Sequence, residues 1–467
     1  MIQIPVLSRL KASDYVSIGF ALLILIAEGF VRFALYFFPC SFVDYLRYHL
    51  FSRVPRIFRG WQDNEIPELG KYKRTAKEFV EFENSPYRLE EYAVFVPDRY
   101  VIILHRLCFA GNDDGSVRPP VLLNHGAMMT SEAWLVSSLV PSPKHTSDHP
   151  NTLPHTLLHA GYDVWLMNRR GNKYSCKNTR WTSRSREFWA FSLDEPICRD
   201  LPAVIDFVLD ETRHEQLSLM GFSQGAAEIL GSLSIVKALN RKVNTAILLA
   251  PTTRPRPQGF RSPLVRSVIK LTPELVFLIF GRTVMLQFVP FWQRCLSPKA
   301  FAFTLDYSMR WLFGWHNSNI RSEDKAIFFQ YLFSYTSVQQ IVHWFQIMRA
   351  GRFQMFDEGA SMAFAPGHIP PAYPLHQVTT PLALFEGTAD SLTDPSLKNL
   401  PAVSTRVTVA EYEHLDFMWG ESLNRKVWPH IVKLLNGAQG CRSLPSPPLE
   451  GKEHLLISSF KLDTHSK

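Results

Sequence analysis

From about residue 100 onward, short apolar runs alternate with stretches of helical period. The runs 101–107 (VIILHRL), 120–126 (PVLLNHG), 163–171 (DVWLMNRRG), 217–220 (LSLM), 244–251 (NTAILLAP), 381–387 (PLALFEG) and 405–411 (TRVTVAE) each read as a strand. Between them, 194–212 places Leu201, Val204, Ile205, Val208 and Leu209 at helical spacing, and 224–239 (QGAAEILGSLSIVKAL) reads as a second helix. Strands alternating with helices predict an α/β fold with a mostly parallel sheet. About 130 residues lie between the strands at 244–251 and 381–387, too many for a loop. They hold dense aromatic stretches, 276–292 and 328–348, and are expected to form a helical cap whose apolar lining suits a long lipid.

The longest apolar run is 15–38 (YVSIGFALLILIAEGFVRFALYFF), long enough to span a bilayer at about 20 residues. Glu28 and Arg32 interrupt it, four apart on one helix face, and Pro39 ends it. Two forms of membrane anchor fit: a transmembrane helix, or a monotopic helix or hairpin with Arg47, Arg53, Arg56 and Arg59 at the headgroups. A soluble core helix is the plain alternative. Arg9 and Lys11 precede the run, so flanking charge only leans towards a cytosolic remainder. No small-residue cleavage site follows it, and Cys40 stands where palmitoylation is chemically open.

Composition narrows the class. Of the 467 residues 46% are hydrophobic, enough for a large core, and the 34 Phe, 15 Tyr and 11 Trp favour an apolar ligand or a membrane over a polar substrate. Net charge is +8, but acidic and basic residues are interspersed and no nucleic-acid module is present, so attraction to an anionic phospholipid surface is the economical use of that charge. Six cysteines do not make a disulfide framework, and no Asn-x-Ser/Thr acceptor occurs; both point to a catalytic domain in the reducing cytosol.

The chemistry is concentrated at 221–225 (GFSQG). Gly221-x-Ser223-x-Gly225, with a strand before and a helix after, is the nucleophile elbow of α/β-hydrolases. A serine hydroxyl needs a base to take its proton, and in this fold the partners follow in the order Ser, Asp, His. Asp390 follows the strand at 381–387, and His414 follows the strand at 405–411. Asp394 and Asp416 are rival acids; Asp390 is preferred as nearest a strand end, and Asp416 suits bracing the loop beyond the histidine. The oxyanion hole falls to the backbone N–H groups of Gln224 and of Ala127, in the loop after the early strand. No metal or organic cofactor is implied. Ser223 at the elbow disfavours an aspartate-nucleophile hydrolase, and the complete set of catalytic positions disfavours an inactive lipid-binding protein.

Taken with 124–134 (NHGAMMTSEAW), 160–175 (AGYDVWLMNRRGNKYS), 187–195 (EFWAFSLDE), 200–210 (DLPAVIDFVLD), 336–359 (TSVQQIVHWFQIMRAGRFQMFDEG), 385–394 (FEGTADSLTD) and 412–420 (YEHLDFMWG), the chain resembles the acid lipases, which include gastric and lysosomal lipases and fungal steryl ester hydrolases. The likeness runs in order from about residue 90 to 436. It places nucleophile, acid and base on Ser223, Asp390 and His414, the oxyanion amides on Ala127 and Gln224, and the aromatic insertion on the cap. Within the family the hydrophobic N-terminal segment, the GFSQG elbow and 239–243 (LNRKV) are most similar to the yeast lipid-droplet steryl ester hydrolases. That implies hydrolysis of long-chain sterol esters, and of triacylglycerols as the alternative, at a lipid droplet or endoplasmic reticulum surface. Ala127 departs from the Leu of the animal lipases, but only its amide is needed. The segment 138–152 is expected to be an expanded loop beside the site. The resulting division is an anchor and basic flank at 1–60, a hydrolase core at 61–251 and 381–436, a cap at 252–380, and a disordered tail at 437–467 that includes Ser446-Pro447.

Overall fold

The computed structural model describes residues 75–111, 117–140, 152–285, 296–358 and 369–440, with 289 and 293 between. The expected membrane anchor, Cys40, the core of the expanded loop and the tail beyond Gly440 lie outside the described residues. No helix among the described residues is long and apolar enough to cross a membrane.

Among the described residues eleven strands run β1 (Tyr87–Phe95), β2 (Tyr100–Phe109), β3 (Pro120–Asn124), β4 (Asp163–Met167), β5 (Lys177–Asn178), β6 (Leu217–Phe222), β7 (Val243–Leu249), β8 (Val284–Met285), β9 (Thr336–Ser337), β10 (Leu382–Gly387) and β11 (Val403–Val409). The main sheet has the order β1-β2-β4-β3-β6-β7-β10-β11, with β5 beside β2. β2 pairs antiparallel with β1, β4 and β5, and every other pairing in it is parallel. The α/β-hydrolase fold with a mostly parallel sheet is therefore present as expected.

Successive side chains of a strand face opposite ways, and here both faces are covered. Val121, Leu123, Val164, Leu166, Met220, Phe222, Ile247, Leu249 and Phe385 pack into one layer. Leu122, Trp165, Leu219, Leu248 and Leu384 pack into the other. The first layer is closed by helices α1 (Leu153–His159) and α9 (Trp428–Gly440), the second by α2 (Leu201–Thr212) and α3 (Gln224–Ile235). Each Leu, Phe or Val so buried contributes about 1.5–3 kcal/mol. In α2 the expected stripe Leu201, Val204, Ile205, Val208 and Leu209 is buried. α3 stops at Ile235, short of the expected residue 239, because the chain turns there and Asn240 donates its amide to the Leu233 carbonyl at 2.8 Å. α9 continues through Gly440, past the expected start of the tail.

β1 has no counterpart among the expected strands. Tyr87 and Leu89 enter one layer while Tyr92 and Val94 enter the other, although its pairing with β2 is unbroken. The apolar pattern therefore changes phase in mid-strand, which hides the period-2 signal.

Between β7 and β10 the chain forms helices α4 (Pro263–Ile269), α5 (Pro273–Phe280), α6 (Pro298–Phe313), α7 (Ser322–Phe328) and α8 (Val338–Ala350). Sequence sets their ends: the Ser297 and Ser337 hydroxyls accept the amides of Ala300 and Gln340 at the starts of α6 and α8. The aromatic stretches are not continuous helices, since β8 and β9 pair antiparallel between them. The insert leans on the C-terminal ends of the strands, where Ser334 donates its amide to the Met128 carbonyl and Lys173 donates its amide to the Ser334 hydroxyl at 3.1 Å.

Candidate active site

Ser223 lies between β6 and α3 with φ 54° and ψ −115°, a conformation costing a non-glycine residue about 1–3 kcal/mol. The turn is held by the Ser223 amide on the Leu249 carbonyl at 2.9 Å and by the Ala226 and Ala227 amides on the Ser223 carbonyl at 3.1 and 3.2 Å. It also requires its two glycines. A Cβ on Gly221 would lie 2.6 Å from the Ala226 nitrogen, and one on Gly225 would collide with the Asn124 carbonyl oxygen.

The two partners named from sequence come to this serine. His414 Nε2 is 2.7 Å from the Ser223 hydroxyl, and His414 Nδ1 is 2.7 Å from Asp390 Oδ2. With a carboxylate at Nδ1, the neutral ring carries its proton there and leaves Nε2 to accept from the serine. Asp390 also accepts the Leu392 amide at 2.8 Å and the Thr393 hydroxyl at 2.7 Å. Burial alone would raise its carboxyl, but the His414 charge and these hydrogen bonds outweigh burial and hold it below the usual carboxylate range. The rival acids are committed elsewhere. Asp394 accepts from Thr253 and Ser396, at 2.8 and 2.7 Å, and pairs with Arg254. Asp416 accepts the Glu413 amide at 2.6 Å and the Asn319 side chain at 2.9 Å, bracing the His414 loop.

The amides of Ala127 and Gln224 both belong to this end of the sheet. Neither donates to a protein acceptor among the described residues. The Gly126 carbonyl shares its peptide group with the Ala127 N–H, and it is fixed by the His125 ring at 2.9 Å and by Arg169 Nη1 at 3.2 Å. Arg169 also donates to the His125 carbonyl and to Glu228, the latter at 2.9 Å. Burial, then the neighbouring Arg169 charge, pushes His125 well below the usual imidazole value, so its ring is neutral. Glu228, fully buried, further accepts from Asn124 at 2.9 Å and from the Gln224 side chain at 2.8 Å.

Several of these contacts escape a reading of sequence alone. The Gln224 side chain, singled out only for its backbone, accepts from Gln340 at 3.2 Å and from Trp344 at 3.0 Å and so ties α8 to the elbow. Phe222 and Trp315 cover the His414 ring. The one available signal was Glu228, a lone charge in the otherwise uncharged run GAAEILGSL. An activatable serine and a base oriented by an ionised acid, at the sheet end that also carries the Ala127 and Gln224 amides, can together perform acyl transfer.

Comparison with known proteins agrees. The alpha/beta hydrolase fold family matches residues 119–421, and the partial alpha/beta-hydrolase lipase region matches residues 82–138. A probable lipase of Schizosaccharomyces pombe is 36% identical over 75% of this chain and 77% of its own length. The chain belongs to the acid lipase family of α/β-hydrolases. It is a serine carboxylic ester hydrolase. A second probable lipase of the same yeast is 33% identical over 96% of this chain and 95% of its own. The gastric triacylglycerol lipase of Rattus norvegicus is 30% identical over 75% of this chain and 89% of its own. A crystal structure from Sulfolobus solfataricus, at 15% identity and a TM-score of 0.50, covers 76% of this chain and 95% of that one and shares the fold.

Proposed function

We propose that this lipase-family enzyme hydrolyses long-chain fatty acyl sterol esters at a lipid droplet or endoplasmic reticulum surface, with Ser223 as nucleophile, His414 as base and Asp390 as orienting acid. The observation that carries the mechanism is the unbroken line Ser223–His414–Asp390, two contacts of 2.7 Å. Ser223 Oγ bonds to the ester carbonyl carbon as its proton passes to His414 Nε2. The Ala127 and Gln224 amides receive the oxyanion. The sterol oxygen leaves with the proton from His414, and water activated by the same ring releases the fatty acid. A missing oxyanion donor would cost about 3–4 kcal/mol of transition-state stabilisation.

Two features support an apolar substrate met at a phospholipid surface. The N-terminal apolar run ends close to a cluster of arginines. The outer side of α6 exposes Phe303, an apolar ring, with Tyr307 and Trp311, the amphipathic aromatics that settle at such interfaces. The sterol ester assignment rests on the sequence likeness to the fungal steryl ester hydrolases. Triacylglycerol is the second reading, supported by the 30% identity to the rat gastric enzyme. Apolar pockets separate bulky acyl esters weakly. Fatty-acid release from sterol ester and triacylglycerol emulsions, measured side by side, decides between them. Faster release from sterol ester is expected; release from triacylglycerol alone overturns the sterol assignment.

A further inference from the structure

We propose that Trp315, a residue of the helical insert, is a positioning residue for the His414 base: it holds the ring in line between Ser223 and Asp390 and stabilises that ring as it takes up the serine proton. The inference rests on the triad reading given above and extends it beyond the sheet.

The indole lies nearly flat against the imidazole, with centroids 5.2 Å apart and planes 17° apart. Phe222 covers the ring too, at 5.1 Å and 42°. Rotation about the last torsion of a histidine is otherwise soft, so covering the ring restricts it to the orientation in which both nitrogens meet their partners. The attraction is also state-dependent. An indole face draws a cation more strongly than a neutral ring, so the contact strengthens when the proton arrives, which lowers the barrier rather than merely binding the ground state.

Trp315 is itself fixed. Gly314 ends α6 at φ 79°, a turn an L side chain resists, and delivers the indole to the site. Phe313 stacks against the indole at 4.3 Å, and the indole N–H donates to the Ser391 hydroxyl at 3.1 Å, next to the acid. The loop beyond is laced to the histidine loop. Glu413 accepts the amides of His316 at 2.9 Å and Asn317 at 2.5 Å, and Asn319 donates to the Glu411 carbonyl and to Asp416, each at 2.9 Å. The insert therefore supports the acid loop, the base and the base's loop through one short segment, 314–319.

The titratable and charged groups around His414 are Asp390 on its Nδ1 side, Ser223 on its Nε2 side, and Glu413, His316 and Asp416 in the laced loops. All remain in the test variants. Hydrolysis of soluble p-nitrophenyl butyrate would be followed across pH for the full chain and for Trp315→Leu, Trp315→Met and Trp315→Phe, with thermal unfolding measured on each. Loss of the aromatic face in the Leu and Met variants should lower kcat roughly 3- to 30-fold with little change in KM. It should also move the acid limb of the kcat/KM profile to lower pH, because the protonated ring has lost a stabilising neighbour. Trp315→Phe should keep most of kcat and the original limb. Wild-type kcat and limb in whichever of the Leu and Met variants folds would overturn the proposal. So would equal impairment of the Phe variant with an unmoved limb, which would mark plain packing. If the wild type itself did not cleave the ester, the triad reading would fail, not this one.

Discussion

The sheet ends that carry Ser223, Asp390 and His414 and the helical insert that leans on them reach rigidity by different means. At the sheet ends, backbone geometry does the positioning: the elbow is locked by the 2.9 Å Ser223–Leu249 bond and by glycines that admit no side chain. In the insert, side chains do it, through Trp344 and Gln340 on Gln224 and through Trp315 on His414. The frame builds the reactive line, and the insert holds it still and covers it. Changes to the frame should abolish chemistry, whereas changes to the insert should scale it.

The sharpest break of that contrast is within the triad. Ser223→Ala and His414→Ala should each lower ester hydrolysis about 10⁴- to 10⁶-fold, and Asp390→Asn about 10⁴-fold. Asp394→Asn should leave the rate within a few-fold, since Asp394 serves Thr253 and Arg254. Initial rates on a soluble ester read all four, and an Asp394 variant as impaired as Asp390→Asn would move the acid.

Next in size is the buried pair beneath the oxyanion loop. Arg169→Met strands Glu228 without its cation and should cost about 3–5 kcal/mol of stability in denaturant unfolding. The surviving folded protein should also lose kcat more than KM, because the Gly126 carbonyl, and with it the Ala127 amide, keeps only the His125 ring to hold it. A variant that unfolds like wild type would show that Asn124 and Gln224 alone satisfy Glu228.

Gln224→Leu keeps the backbone donor but leaves Gln340 and Trp344 without their acceptor, at about 1–3 kcal/mol for each stranded group. Limited proteolysis should then cut the insert before the sheet. Equal protection of both regions would remove the distinction between them.

The smallest effect concerns Asp416, whose carboxyl is pushed up to about 6 by burial, against the opposing hydrogen bonds from Asn319 and Glu413. A folded value above the unfolded one means that the proton is retained on folding. The group therefore favours the folded state at low pH, and that contribution is lost as pH rises through about 6. Asp416→Asn cannot titrate, so wild-type Tm should fall relative to the variant between about pH 4 and about pH 6. Parallel curves would deny the cost of burying this charge.

Much of the frame was readable in advance because buried strands are short apolar runs and reactive groups in this topology sit where strands end. That reasoning placed Ser223, Asp390 and His414 without reference to side-chain contacts. It missed β1, where Glu90 and Glu91 mark the point at which the buried face changes. Trp315 was invisible for another reason: in an insert rich in aromatics no spacing distinguishes the one that meets a histidine from those that fill a core. Arg169 was hidden in a strand-end Arg-Arg pair whose two members have separate duties, Arg169 with Glu228 and Arg170 with Asp98 and Asp200. Such roles depend on contacts between distant segments, which local pattern does not encode.

The central claim is that Ser223 is the activated nucleophile of an ester hydrolase. A fluorophosphonate probe followed by peptide mass spectrometry tests it most directly. The account predicts one adduct, on the peptide bearing Ser223, absent from Ser223→Ala and formed far more slowly in His414→Ala. An adduct on another serine, or undiminished ester cleavage by Ser223→Ala, would contradict it.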